Sequence, residues 1–257
     1  TVTISDDTLQ SCTFRDNRID LSVSKLAVGG SAELPGAKLA IKKTDGTTVV
    51  EWTSSTTPKK ISYAELETGV TYILKETSAP AGYAYSADIK FEIKADGTIS
   101  ITNSAANASV SGQTLVMRDA PIAISVEKVD ETTSAHLSNA ILAVIDATSG
   151  KELDMSKITV PADNTKKDYI LREISAPTGY EIAEDIIFAV DKTGTVYTKD
   201  TVGNYTMVSV VGTTATLTMT DKKMPEGTIY IRKLTPAGNT LSGASLAIYN
   251  KNDYDQN

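Results

Sequence analysis

Two nearly identical segments constrain this chain more than any other feature. Residues 72–83 have the sequence YILKETSAPAGY, and residues 169–180 have the sequence YILREISAPTGY. The segments lie about one hundred residues apart, which is the size of an ordinary domain. The chain of 257 residues is therefore predicted to contain a duplication, with two domains of similar size.

Each repeated segment predicts a strand that ends in a turn. Alternate side chains of a strand share a face, which groups two apolar residues with a glutamate in each copy: Tyr72, Leu74 and Glu76, and Tyr169, Leu171 and Glu173. The Ala-Pro and Gly-Tyr residues that follow favour a turn, because proline lacks an N–H donor and glycine tolerates positive φ. In each copy, the apolar face of this strand therefore ends with a glutamate.

The composition indicates an all-β protein and excludes several functions. Short runs of Thr, Val, Ile, Tyr and Ser alternate with turn residues, and Asp45-Gly46 and Ser149-Gly150 favour hairpins. The net charge of −7 argues against nucleic acid or an anionic membrane surface as a partner. A single cysteine and a single histidine leave little for a disulfide framework, a metal cluster or a serine-type triad, so no metal or cofactor is predicted.

No apolar run reaches the length of a membrane span, and no signal sequence begins at Thr1. The residues are therefore expected to be a mature product or an excised piece of a longer protein. Acidic residues near glycines, as at Asp96-Gly97, lack the ligand density of a calcium loop and are predicted to form plain β-turns.

A lysine ends the apolar face of the first strand of each copy. Alternation over Ile19–Lys25 and over Ile122–Lys128 places Lys25 and Lys128 beside apolar residues, and a third version near the end carries Lys233. Further strands are predicted at Leu34–Ile41, Leu137–Val144, Leu241–Ile248, Ile89–Ile93 and Ile186–Val190. A short helical turn is possible at Lys59–Leu66 or around Ser156.

The last strand of each copy ends with an aspartate. In LVMRD, Asp119 shares a face with Leu115 and Met117, and in LTMTD Asp221 is placed in the same way. Each copy therefore carries a lysine, a glutamate and an aspartate in phase with core residues. These side chains either extend to water, form a buried Lys–Asp salt bridge, or perform chemistry.

Replacing buried ions by apolar residues is often neutral or stabilising, so stability alone does not require the three charged residues. Their recurrence in both copies therefore favours a chemical role. Burial lowers the pKa of a lysine and raises that of a carboxyl. A neutral lysine can then attack the aspartate carbonyl, while a protonated glutamate donates a hydrogen bond to the developing oxyanion and transfers protons. Loss of water leaves an amide, and the fold supplies proximity.

The residues resemble the B-type repeat of the Gram-positive collagen adhesin, which also occurs in sortase-assembled SpaA-type pilins. The family motif Y-x-L-x-E-x-x-A-P-x-G-Y carries the catalytic glutamate, matched by Glu76 and Glu173. The resemblance implies that Lys25 and Lys128 form isopeptide bonds with Asp119 and Asp221. It also implies an all-β fold of two tandem prealbumin-like (Ig-like, reverse) β-sandwich domains with partial flanking repeats.

The function implied is the shaft or stalk of a cell-wall-anchored adhesin or pilin, outside the bacterial cell. Its partners are then neighbouring repeats, other pilin subunits or host extracellular matrix, with no membrane partner. The glutamates act once, so the chain is not expected to be an enzyme. The alternative is an adhesin module that binds host glycoprotein or carbohydrate, but aromatic content is 6% and Trp52 is interpreted as a packing residue.

Four segments are expected. Residues 18–120 and 121–223 form complete domains, residues 1–17 are the closing strand of a preceding repeat, and residues 224–257 are the opening strands of a truncated third repeat. Both ends are thus expected to be severed parts of a longer array, with Cys12 in a core position. Asp16 and Lys233 are orphan cross-link positions, since neither has a complete partner set.

Overall fold

The computed structural model describes residues 21–62, 64–227 and 231–248. The strands of the first copy are β1 (Leu21–Ala27), β2 (Lys38–Lys43), β3 (Thr48–Thr53), β4 (Lys59–Ile61), β5 (Thr71–Ser78), β6 (Ile89–Ile93), β7 (Ile99–Ile101), β8 (Ala108–Ser111) and β9 (Thr114–Asp119). Those of the second are β10 (Ile124–Asp130), β11 (Ile141–Asp146), β12 (Glu152–Leu153), β13 (Lys166–Ser175), β14 (Ile186–Asp191), β15 (Val196–Lys199), β16 (Tyr205–Met207), β17 (Val210–Val211) and β18 (Thr214–Asp221).

Each copy folds into two sheets that enclose a core, which confirms the all-β prediction. The first copy has the strand orders β4-β1-β9-β8 and β3-β2-β5-β6-β7, and the second has β10-β18-β17 and β12-β11-β13-β14-β15-β16. Throughout the described part of the chain, every sheet takes its strands from one copy only. Leu21 of one sheet and Phe91 of the other belong to the same buried cluster, so the two sheets form a sandwich.

The core follows the predicted alternation. In β5, Tyr72, Leu74 and Glu76 are buried, whereas Lys75 between them is exposed. The Tyr72 ring packs against the Phe91 ring with centroids 5.8 Å apart, and its hydroxyl accepts a hydrogen bond from the Glu67 amide at 2.8 Å. The buried tyrosine therefore keeps a partner for its polar atom.

The first and last strands of each copy are adjacent and parallel. In the β1–β9 pair, Lys25 lies opposite Met117 and Ala27 lies opposite Asp119. The β10–β18 pair has the same register, with Lys128 opposite Met219. A parallel pair cannot be closed by a hairpin, so all the intervening strands form the connection. This register makes the lysine and the aspartate diagonal neighbours on the core face.

The second strand of each copy begins later than predicted. In the first copy, the backbone around Gly36 (φ +96°) bonds to Ser54: the Ser54 hydroxyl donates to Leu34 O at 2.7 Å and accepts from the Ala37 amide at 2.9 Å. In the second copy, Asn139 has a φ of +68°, which a strand does not allow. The helical turn expected near Ser156 is confirmed as a 3-10 turn, Met155–Lys157.

The Ala-Pro-Ala-Gly-Tyr turn of the first copy contacts the second copy. The Gly82 amide donates to Ile158 O at 2.7 Å, and the Tyr85 amide donates to Lys192 O at 2.9 Å. A Cβ atom on Gly82 would lie 2.9 Å from Ser156 O, which is too close for a side chain. Glycine in this turn therefore permits the two copies to meet through their backbones.

The described residues up to Lys223 form one compact unit, and those from Met224 onward form another. Within residues 231–248 the chain makes an isolated bridge, Leu234 with Thr240, and no strand. The strand expected at Leu241–Ile248 is therefore absent from these residues, whereas the expected lysine strand that begins at Ile229 lies partly outside the described residues. Two strands alone are marginal in water, which gives a physical reason.

Candidate functional site

The parallel strands bring Lys25 and Asp119 into contact inside the first sandwich. The Nζ atom of Lys25 contacts Oδ1 of Asp119, and both side chains are almost completely buried, with exposed fractions of 1% and 0%. The apolar faces of β1 and β9 place them there, because each is in phase with core residues. A lysine is rarely so deeply buried unless it is paired.

Glu76 approaches the same lysine from the opposite sheet. Its Oε1 atom lies 3.0 Å from Lys25 Nζ, and its Oε2 atom accepts a hydrogen bond from the Ser86 amide at 2.9 Å. Strand β5 provides the glutamate at the end of its buried face. The structure thus brings together the three predicted residues of the first copy around one nitrogen atom.

The second copy repeats this geometry. Lys128 Nζ contacts Asp221 Oδ1 and lies 3.0 Å from Glu173 Oε1. The Oε2 atom of Glu173 accepts a hydrogen bond from the Ala183 amide at 2.7 Å. All three predicted residues of this copy are buried. Both copies therefore place the same three residue types in the same buried arrangement.

Burial changes the acidity of one carboxyl in each site. It raises the pKa of Glu76 from the ordinary 4.5 to about 7, although the Lys25 charge lowers it and the Asp119 charge raises it further. Burial also raises the pKa of Asp221, against the hydrogen bond and charge of Lys128, and the Glu173 carboxyl adds to the increase. These directions are the ones expected for carboxyls in an apolar core.

Both sites contain buried oxygens that lack a hydrogen-bond donor. Among the described residues these oxygens are Glu76 Oε1, Asp119 Oδ2, Glu173 Oε1 and Asp221 Oδ2. Each glutamate Oε1 lies 3.0 Å from the lysine Nζ, within ion-pair distance, but has no hydrogen-bond partner. A buried polar atom without a partner costs about 1–3 kcal/mol. A proton on the glutamate would supply a donor and reduce the repulsion between the carboxyls.

The arrangement is suited to amide formation. The lysine nitrogen already contacts the aspartate carboxyl, and water is excluded from both side chains. A glutamate with a raised pKa can hold a proton near neutral pH and transfer it during the reaction. The contact replaces a bimolecular encounter, which can contribute about 7–11 kcal/mol to a well-oriented reaction.

Sequence analysis missed Ser86 as a residue of the first site. Its hydroxyl lies 2.6 Å from Asp119 Oδ1 and 3.4 Å from Lys25 Nζ. Ser86 belongs to the irregular segment between Tyr83 and β6, where no period relates it to the strands. The only available signal was its closeness in sequence to the repeated motif.

The orphan positions do not form a third site in the described residues. Asp16, like Cys12, lies outside those residues, and Lys233 is exposed. No group of three or more His, Cys, Asp or Glu side chains in the described ranges is placed to hold a metal ion. In the same ranges, no helix has the length and apolar character needed to cross a bilayer.

Trp52 lines a cleft of about 620 Å3 at the edge of the first sandwich, beside Glu33 and Lys59. The ring is partly buried and packs against the core of the first copy. The tryptophan thus fills space between the sheets, as interpreted from the sequence, and does not form an exposed aromatic platform of the kind that sugar binding uses.

Comparison with known proteins gives a family match and several structural similarities. The family profile described as SpaA, prealbumin-like fold domain, matches residues 19–106 and 122–206. The pilus adhesin SpaC of Lactobacillus rhamnosus GG, in its open conformation, is 17% identical, with 82% of this chain and 32% of SpaC covered and a TM-score of 0.41. The Bacillus anthracis TIE protein is 22% identical, with 80% and 34% covered and a TM-score of 0.32.

The shaft pilin SpaA of Lactobacillus rhamnosus GG is 14% identical, with 83% of this chain and 100% of the pilin covered and a TM-score of 0.33. The chain spans about a third of the length of the SpaC and TIE chains. Among curated proteins, no sequence matches.

Proposed function

Because this chain belongs to the family of SpaA prealbumin-like fold domains, we propose that it is a structural segment of a Gram-positive pilus shaft or adhesin stalk. Its place is the outside of the bacterial cell, in a protein anchored to the cell wall. Neighbouring repeats and other pilin subunits are its partners, and the complete protein presents a binding site for host matrix at a distance from the wall.

We further propose that each domain is closed by an isopeptide bond, Lys25–Asp119 in the first and Lys128–Asp221 in the second. The observation that carries this proposal is the repeated burial of a lysine, a glutamate and an aspartate at one point of each sandwich. Buried ion pairs bring little net stability, so a salt bridge alone gives no reason for the same arrangement to occur in both domains. A chemical role of the three residues does give a reason.

The reaction is a condensation that conserves all atoms. The lysine Nζ bonds to the aspartate Cγ, and one Cγ–O bond breaks. The step starts from the neutral amine and the protonated aspartic acid. The glutamate transfers one proton from the nitrogen to the departing oxygen, which already carries one, and this oxygen leaves as water. The glutamate returns to its initial state but its site is then closed, so the chain acts once and is not an enzyme.

Intact mass after denaturation tests the proposal. The full chain should be lighter than its sequence mass by two waters, and Glu76→Ala and Glu173→Ala should each restore one. Lys75→Ala is the matched control, because Lys75 lies next to Glu76 in β5 but is exposed. An uncorrected sequence mass for the folded chain would refute the isopeptide bonds.

The alternative function, direct binding of host glycoprotein or carbohydrate by these domains, has weaker support. Its best candidate residue, Trp52, packs against the first core. The binding role is therefore assigned to other parts of the complete protein.

A further inference from the structure

The first site contains a hydroxyl group that the second site lacks. Ser86 and Ala183 occupy equivalent places, since the backbone amide of each donates to Oε2 of the glutamate, at 2.9 and 2.7 Å. Only Ser86 adds a side-chain polar atom. Its Oγ lies 2.6 Å from Asp119 Oδ1, 2.6 Å from Arg118 O and 3.4 Å from Lys25 Nζ.

The short contacts of Ser86 constrain where protons can be. A serine hydroxyl has one proton to donate, yet Oγ has two oxygen neighbours at hydrogen-bond distance. The Arg118 carbonyl oxygen carries no proton, so it can only accept. Both contacts are satisfied when Ser86 donates to Arg118 O and accepts from a proton on Asp119 Oδ1. The serine thus favours the neutral acid with its proton on that oxygen.

The other oxygen of Asp119 has a different environment. Oδ2 has no hydrogen-bond partner and belongs to a carboxyl that interacts electrostatically with Glu76. A proton on Oδ1 leaves Oδ2 as the carbonyl oxygen, which is the atom that becomes the oxyanion when nitrogen adds to Cγ. The two oxygens of Asp119 are therefore distinguished by their neighbours before any bond forms.

We propose that Ser86 is a positioning residue for the Lys25–Asp119 bond, holding Asp119 Oδ1 as the oxygen that departs. The inference rests on the proposed isopeptide chemistry and deepens it. The Nζ–Cγ bond forms, the Cγ–Oδ1 bond breaks, and one proton from Nζ joins the proton already on Oδ1 to give water. Glu76 carries the transferred proton, and Ser86 ends with the single proton with which it began.

The second domain lacks this serine hydroxyl and serves as an internal comparison. Lys128, Glu173 and Asp221 have the same geometry, but Ala183 offers only its backbone. Removing the Ser86 hydroxyl should therefore slow the first bond, and adding a hydroxyl at position 183 should accelerate the second. The expected change is about tenfold in each direction, the rate equivalent of one hydrogen bond.

The test measures the rate of bond formation in the full chain. Protein isolated unfolded from inclusion bodies, before any bond has formed, is refolded by dilution and quenched with acid at intervals. Intact mass gives the loss of water, and digestion assigns each loss to a domain. The variants are Ser86→Ala, Ser86→Thr, which keeps the hydroxyl, and Ala183→Ser. Circular dichroism follows folding separately.

The expected result is a slower first bond in Ser86→Ala, recovery in Ser86→Thr and a faster second bond in Ala183→Ser. A purely structural role of Ser86 predicts no gain of rate in Ala183→Ser. If both bonds form at unchanged rates in Ser86→Ala and Ala183→Ser, the proposed role of Ser86 is refuted but the isopeptide bonds are not. Absence of both bonds from the unsubstituted chain would overturn the proposed function itself. If Ser86→Ala fails to fold, an unaltered second-bond rate in Ala183→Ser still refutes the inference.

Discussion

Replacing Glu76 by glutamine should separate the contribution of the cross-link from that of the buried ion pair. Glutamine has nearly the shape of glutamate but cannot transfer the proton, so the Lys25–Asp119 contact should persist without becoming an amide. The lost bond closes a loop spanning 94 positions. By the chain-entropy relation for cross-links, such a loop contributes about 4.7 kcal/mol to the free energy of unfolding.

A loss of this size should lower the melting temperature of the first domain by roughly 20–40 °C, since about 1 kcal/mol corresponds to 4–8 °C in a domain of this length. Calorimetry and intact mass, measured on the same samples, test the expectation. Lys75→Gln, a change on the exposed face of β5, should stay within about 0.5 kcal/mol of the unsubstituted chain. Glu173→Gln should act in the same way on the second domain.

Two results would contradict this reasoning. Glu76→Gln protein that still lacks both waters would show that the glutamate is unnecessary for the bond. A variant that regains one water yet melts at the original temperature would show that the bond, although it forms in the unsubstituted chain, does not stabilise the domain.

The remaining predictions concern acidity, the contact between copies and the terminal lysine. The pKa of Glu76 is raised from 4.5 to about 7, so the proton that the reaction needs is present below that value and lost above it; the first bond should form more slowly as the pH of refolding rises through about 7. Gly82→Ala should lower the free energy of unfolding by about 1–3 kcal/mol more than Gly179→Ala. Both glycines have positive φ, but only at Gly82 would the added Cβ lie 2.9 Å from a backbone oxygen, that of Ser156. Equal losses in chemical denaturation would show that this close approach costs nothing. Denaturing electrophoresis should give monomers only, because Lys233 is exposed and lacks the dry surroundings of Lys25 and Lys128; a ladder joined through Lys233 would refute this.

The strand period was sufficient to predict which face each charged residue occupies. Lys25, Glu76 and Asp119 are all buried because each is two positions from a core residue of its own strand. The parallel pairing of β1 with β9 was not predictable from the period, since the same alternation suits either direction. It depends on contacts between residues far apart in the chain.

Irregular segments account for what sequence analysis missed. The later start of β2 depends on the Ser54 hydroxyl, which reaches residues distant in sequence. Ser86 enters the first site from a stretch without a repeating pattern, so its side-chain direction could not be inferred. The strand expected at Leu241–Ile248 is absent for another reason, because a sequence pattern does not supply the partner strands that a sheet needs.

The positions of the proposed bonds explain how such domains could carry tension. Chain tension enters the first domain at the start of β1 and leaves after Asp119, where β9 ends. With Lys25 bonded to Asp119, the load passes along a few residues of β1 and through the amide directly to the link with β10. The second bond repeats this path from Lys128 to Asp221, where β18 ends. The hydrogen bonds between β1 and β9 then carry little of the load, because a covalent bond lies in parallel with them. The sheets are thereby spared from shear, and the turn at Gly82, which contacts the second copy through its backbone, keeps its role in joining the domains.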